Sequence, residues 1–294
     1  MKTSLHLVRS IAKVALPVIL SALSAHAQTS LSFDFDSGFT LGSIIGQQGW
    51  SAGAAPGLLV DPNDGTTVTQ EAVTNAAAYS GTQSWLYSHG ISSGYQFSAG
   101  TPFSPNLGLS LSRVGDTMSG RLYFKAATLG DGSWLELDAG NPAGNDRSEI
   151  IGYLHNDAGN LSFSLIGATT SPDGYVDITV ADHLDAGWHQ LDFQILRAGV
   201  DANAVSATVD GLSASAAGAL AFYRDSSSFD YEDSSRLKFA GSVSGDGFYL
   251  DDISYSITSV PEPSTYASWA AAAVLALALI RTWRNRPALL RKSA

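Results

Sequence analysis

The sequence predicts an all-β fold, and three observations carry that expectation. Short runs of alternating apolar and polar residues dominate the chain. Gly, Asp, Asn, Ser and Pro bound those runs, and helical periodicity is almost absent between the two ends. No repeat of fixed period is visible, which excludes solenoids and propellers. The 294 residues include no Cys, so no disulfide framework holds the domain. A chain of this length buries a core large enough to manage without one.

The first element in order is a leader. Lys2, Arg9 and Lys13 form a basic start, Val14 to Leu23 an apolar centre, and Ala25-His26-Ala27 a small-residue cleavage pattern. Residues 1–27 therefore read as a secretory signal peptide, with the mature chain beginning at Gln28. The body, 28–259, reads as one β-sandwich with no convincing internal boundary. Its clearest strands are expected at Leu31–Phe35, Gln83–Tyr87, Gly120–Phe124, Trp134–Leu137, Glu149–Leu154, Leu161–Leu165, Tyr175–Val180, His189–Ile195, Ala204–Val209, Arg236–Ala240 and Gly247–Ile257. Asp131-Gly132, Asp173-Gly174, Asp210-Gly211 and Gly245-Asp246-Gly247 mark turns between them. Ser213 to Gly218 reads as a loop or edge segment.

Charge narrows the partners. The body carries 26 acidic and 8 basic residues, a net of about −18, and 22 of the acids are Asp. Asp favours turns and hard-cation sites over helix and strand interiors. No basic patch exists to neutralise phosphates, so nucleic acid is excluded as a partner.

The last element is the tail, 260–294. Val260, Pro261, Glu262, Pro263 and Ser264 precede an uncharged run to Ile280, and Arg281, Arg284 and Arg286 follow. The two prolines predict an extended peptide there. Ser264 to Ile280 predicts a single transmembrane helix of about 25 Å, stretched to Trp283 by snorkelling of Arg281. The basic cluster would lie beyond the helix, on the cytoplasmic side. This order of motif, helix and basic cluster resembles the PEP-CTERM sorting signal of Gram-negative bacteria. The resemblance implies processing by exosortase, transient anchoring in the inner membrane, and delivery to the cell surface or extracellular matrix beside exopolysaccharide.

A second resemblance lies in the body. Gly187-Trp188-His189-Gln190-Leu191-Asp192-Phe193, followed by Thr208-Val209-Asp210-Gly211, resembles the concanavalin A/laminin-G-like jelly-roll sandwich. Phe33-Asp34-Phe35-Asp36 with Gly49-Trp50 resembles the opening of such domains, and Phe248 to Ile253 their closing strand. The likeness implies a fold and no activity, since this architecture carries many functions.

Four groups of residues are candidates for chemistry. The fold resemblance implies a structural Ca2+ joining the first and last strands, through Asp34, Asp36, Asp251 and Asp252. Alternation puts Asp34 and Asp36 on one face, and Asp251 and Asp252 on opposite faces. Glu136-Leu137-Asp138 resembles half of a glucanase motif, E-x-D-x-x-E, but Asn141 stands where the second Glu belongs and Glu149 is too far along to replace it. Trp85 and Tyr87 share a strand face and, with Tyr95, are the candidates for stacking on a glycan. Trp188 and His189 read as core. His89, His155, His183 and His189 are scattered and show no zinc spacing.

The reading that follows is a non-enzymatic, exported surface or matrix protein sorted through its tail. The alternatives are a carbohydrate-binding module and a polysaccharide hydrolase or lyase.

Overall fold

The computed structural model describes residues 27–52, 72–87, 102–109, 111–140, 148–168, 175–199, 203–218, 236–243, 246–261 and 263–284. The chain divides into two units: residues 28–259, and the terminal residues on either side of them. The signal-peptide expectation for 1–27 lies outside the described residues, apart from Ala27, which opens the first strand.

The larger unit is two antiparallel sheets, as the alternation predicts. The first has nine strands. In spatial order they are β14 (Leu212–Gly218), β13 (Asn203–Val209), β12 (His189–Arg197), β7 (Thr117–Ala126), β16 (Phe248–Ser259), β5 (Ser84–Tyr87), β4 (Ala72–Thr74) and β2 (Gly42–Ser43), with β1 (Ala27–Phe33) also on β16. The second has seven strands. They run β11 (Tyr175–Leu184), β10 (Asn160–Ala168), β9 (Ser148–Asp157), β8 (Trp134–Gly140), β15 (Arg236–Ser242), β6 (Pro102–Phe103) and β3 (Ser51–Ala52). Each expected strand is present, most of them longer than the sequence suggested. The strands that escaped the sequence reading, β2, β3, β4 and β6, are two or three residues long and leave no room for a pattern. The Ser213–Gly218 segment is the edge strand β14.

The two sheets close on one apolar core. Along β12, Leu191, Phe193 and Ile195 are buried, and along β8 Leu135, Leu137 and Ala139 are. Successive side chains on a strand point to opposite faces, so the residues between these belong to the outer faces. Gly120 on β7 shows how tightly the interior is packed. A Cβ there would lie 2.3 Å from Phe193 and 2.9 Å from the Ser254 carbonyl. Gly120→Ala is therefore expected to cost about 1–3 kcal/mol in equilibrium unfolding, by overpacking. A cost under a few tenths of a kcal/mol would mean that Phe193 moves freely.

The Trp188-His189 and Asp210-Gly211 motifs meet in space. Leu191 pairs with Val209, and Asp210 and Gly211 turn the chain from β13 into β14 with φ of 48° and 89°. Both angles are left-handed, as a tight two-residue hairpin turn requires. The Asp210 carboxylate lies 2.6 Å from Nδ1 of buried His189 and accepts the Gln190 N–H at 2.9 Å. Asp185 O is 3.0 Å from Nε2 on the other side of the ring. His189 is thus a core-edge residue, as expected, and pins the hairpin.

The tail corrects the sequence expectation. A helix, α1 (Pro263–Arg284), does form. Pro263 begins it rather than barring it, because a first-turn proline gives up only an N–H that has no helical partner. Arg281 and Arg284 lie in its last turn, not beyond it. Among the described residues no helix is long and apolar enough to cross a membrane. The first turn and a half, Pro-Ser-Thr-Tyr-Ala-Ser, is polar, and the unbroken apolar stretch Ala270–Ile280 covers only about 16 Å. A bilayer core needs about 30 Å. The transmembrane helix, the membrane partner and transient anchoring in the inner membrane are withdrawn on this ground. Glu262 and Arg286 lie outside the described residues.

Candidate active site

The outer face of the seven-stranded sheet carries a row of titratable side chains. Leu135, Leu137 and Ala139 of β8 point into the core, so Trp134, Glu136 and Asp138 point away from it. On one side Glu136 stands opposite Tyr153, and Trp134 opposite His155. On the other, Asp138 stands opposite Lys238 and Glu136 opposite Ala240. His155 faces Ser162 of the next strand. One face thus aligns Lys238, Asp138, Glu136, Tyr153, His155 and Ser162 across four strands.

Asp138 and Lys238 form a buried ion pair, Nζ to Oδ2 at 2.9 Å, with side chains 0% and 8% exposed. A buried pair of this kind offsets the cost of desolvating two charges, and removing either partner leaves the other uncompensated. Glu136 is the perturbed group. Burial, and then the negative charge of Asp138, push its carboxyl up to about 9, while Lys238 pulls the other way. Asp138 is paired with Lys238, and Glu136 holds the proton at neutral pH. Beside them the Tyr153 and His155 rings lie 5.0 Å apart, and His155 Nε2 is 2.6 Å from Ser162 Oγ.

The sequence singled out Glu136 and Asp138 but not Lys238, which the alternation of Leu237, Lys238 and Phe239 places on the same face. Asn141 lies outside the described residues. Glu149 stands opposite Ala139, not Glu136.

The four Asp residues proposed for Ca2+ hold turns. Strand β1 ends at Phe33, and the chain then bends at Phe35, whose φ is 57°. Asp34 Oδ1 accepts the N–H groups of Asp36 and Ser37. Asp36 Oδ1 accepts the Thr82 N–H and hydroxyl, at 2.9 and 2.7 Å. Asp251 and Asp252 do not diverge as alternation implied. Asp252 has φ of 44°, the β7–β16 register shifts there, and both carboxylates reach one turn. Asp251 Oδ2 accepts the N–H groups of Tyr79 and Ser80, and Asp252 Oδ1 accepts the Ser80 hydroxyl. Burial pushes the Asp251 carboxyl up to about 6, against the pull of those amides. Among the described residues no group of three or more His, Cys, Asp or Glu side chains converges as a metal site would require.

The glycan-stacking expectation falls on the wrong face. Trp85 and Tyr87 do share a face, but it is the core face, and both are buried. Tyr95 lies outside the described residues. Trp188, expected in the core, is partly exposed with its edge on the Tyr79 ring, 5.9 Å between centroids.

No family model matches the chain, and neither does any curated protein. The PEP-CTERM assignment rested on a five-residue motif, a helix and a basic cluster. With no family match and no spanning helix, the sorting signal, exosortase as a partner and delivery to the cell surface are withdrawn. The matches that exist are to solved structures. One is an engineered GH43 glycoside hydrolase with endo-xylanase and exo-arabinofuranosidase activity, at 11% identity and TM-score 0.42, over 68% of this chain and 38% of that one. Another is a carbohydrate esterase of the Shiga toxin-encoding bacteriophage phi24B, at 14% identity and TM-score 0.40, over 69% of this chain and 97% of that one. A third is a family 7 alginate lyase, at 12% identity and TM-score 0.42, over 67% and 85%. None is a concanavalin A or laminin-G domain by name, and the fold stands at the coarser level of two all-β sheets. The three are carbohydrate-active enzymes, and the expectation of a non-enzymatic protein is not carried further. At these scores the likeness transfers no substrate and no site residue.

Proposed function

We propose that the protein cleaves a polysaccharide by acid–base chemistry at the Glu136 cluster. The observation that carries this reading is a carboxyl group that keeps its proton at neutral pH, on a sheet face lined with other titratable groups. A glycosidic oxygen leaves only as it receives a proton, and a donor with a raised pKa supplies one near pH 7. Burial and the Asp138 charge hold the donor in that state, against the pull of Lys238.

The same geometry argues against hydrolysis by two flanking carboxylates. Those stand about 5–5.5 Å or 6.5–9.5 Å apart, with the sugar between them. Asp138 is fully buried in its ion pair with Lys238 and is not free to flank a sugar opposite Glu136. The second role then falls to the Tyr153–His155 pair across the strand. That division suits elimination: a base takes the ring C–H proton next to a uronate carboxyl, the C–O bond to the leaving sugar breaks, a C=C bond forms, and Glu136 protonates the departing oxygen.

The test is product release from uronate-containing and neutral polysaccharides. Elimination is expected to yield new reducing ends together with ultraviolet-absorbing unsaturated products, and Glu136→Gln to lower the rate by about 100-fold or more. Reducing ends without unsaturation would replace elimination by hydrolysis. A Glu136→Gln protein as active as the parent would move the site elsewhere.

A further inference from the structure

The nine-stranded sheet has an outer face of its own, and its chemistry differs from that of the Glu136 cluster. Strand alternation lines it with Ser119, Arg121 and Tyr123 of β7, Gln190, Asp192 and Gln194 of β12, and Ser254 and Ser256 of β16. Here the loop before β5 lays the Tyr79 ring flat on Tyr123, with centroids 3.6 Å apart and planes at 12°. Trp188 meets the same ring edge-on at 5.9 Å. Tyr79 is 45% exposed.

An exposed ring is common on protein surfaces, but this one is held from beneath. The fully buried Asp251 carboxylate accepts the Tyr79 N–H at 2.8 Å and the Ser80 N–H at 3.2 Å, and Asp252 takes the Ser80 hydroxyl. Tyr123 donates to Gln190 Oε1 at 2.8 Å, which fixes the lower ring in turn. The hydrogen bond with Tyr79 and partial burial push the Tyr123 hydroxyl up to about 12. From the rings the face continues through Arg121 and Asp192, paired at 2.6 Å, into a groove of about 540 Å3. Gln28, Ser30, Ser32, Ser119, Ser254 and Ser256 line that groove.

We propose that this face binds a neutral polysaccharide chain, independently of cleavage at Glu136. Tyr79 and Trp188 take the apolar face of a pyranose ring, and the serine-lined groove takes hydroxyls of the sugars that follow. Rings held rigidly before the ligand arrives lower the cost of ordering them on binding, and stacking of this kind needs an apolar face beside a wet edge. The occupant is neutral because the charges here are spent or repulsive. Arg121 is already matched by Asp192, and Asp252 lies against Ser80 beside the rings.

The test is affinity electrophoresis of the full chain in gels containing hydroxyethylcellulose, xylan, laminarin or alginate. All variants carry Glu136→Gln, so that cleavage does not remove the ligand and a failure of binding stays distinct from a failure of catalysis. Retardation is expected in at least one neutral gel. Tyr79→Ala and Trp188→Ala should each weaken it about tenfold, equivalent to about 1.4 kcal/mol, and Tyr79→Phe should keep it. Retardation by alginate alone, retardation by none, or retardation unchanged in Tyr79→Ala would overturn the proposal. So would a Tyr79→Phe protein as weak as Tyr79→Ala, since the ring would then not be the contact.

Discussion

Glu136→Gln is expected to raise the melting temperature at pH 9 and to change it little at pH 5. The sign follows from where the proton sits. In the folded protein the Glu136 carboxyl is pushed up to about 9, and in the unfolded chain it returns to its ordinary 4.5. Between those values the folded state holds a proton that the unfolded state has lost, so stability falls as pH rises. The favourable contribution is complete below about pH 4.5 and gone above about pH 9. Glutamine has no carboxyl proton to lose. The variant is therefore spared a penalty on the order of a few kcal/mol at the alkaline end. Asp251 adds a smaller slope of the same sign, between 3.8 and about 6, but it is present in both proteins and cancels in the comparison. Thermal unfolding of the two proteins across pH 5 to 9 is the measurement. A difference that stays flat with pH would mean that Glu136 ionises normally and cannot be the proton donor. The same substitution is thus expected to cost activity while adding stability, the trade that a strained functional group produces.

Much of the frame was legible because alternation has one physical cause. Strand β12 reads clearly in the sequence since one face is dry and the other wet, and Leu191, Phe193 and Ile195 could go nowhere else. The face of an aromatic pair was not legible. Trp85 and Tyr87 alternate correctly, but a pair of rings fits a core face and a binding face equally well, and only the partner sheet decides. Tyr79 is exposed and stacks on half-buried Tyr123, far from it in sequence, and the two meet because Asp251 anchors the Tyr79 turn. That anchor was hidden as well. It depends on the bulge at Asp252, where one left-handed residue breaks the alternation that put Asp251 and Asp252 on opposite faces. The Glu136–Asp138 pair was readable as two acids on one face. Its meaning was not, because Lys238 arrives from a strand a hundred residues after Asp138, and without it the pair reads as an ordinary polar surface.

Trp85→Ala is expected to cost about 3–5 kcal/mol of stability, the largest loss from any single core position. Trp85 lies on β5 of the nine-stranded sheet, yet its ring packs edge-on against Phe239 of the other sheet, 4.8 Å between centroids. Trp50 meets it at 5.1 Å, Tyr87 at 6.0 Å and Phe35 at 6.4 Å. The indole is wholly buried, so truncation opens a cavity at the junction of both sheets, where neither can shift without breaking its ladder. Trp85→Phe separates the ring from its polar atom. The Trp85 Nε1–H is buried with no hydrogen-bond partner among the described residues, and a buried donor left unsatisfied costs free energy in the native state. Phenylalanine loses some contact area but also removes that donor, so its cost should fall well below that of alanine, near 1–2 kcal/mol. Urea unfolding of the three proteins gives both numbers. Equal losses for Phe and Ala would mean that the indole nitrogen makes a bond that holds the sheets together, and the junction would then be polar rather than a matter of packing alone.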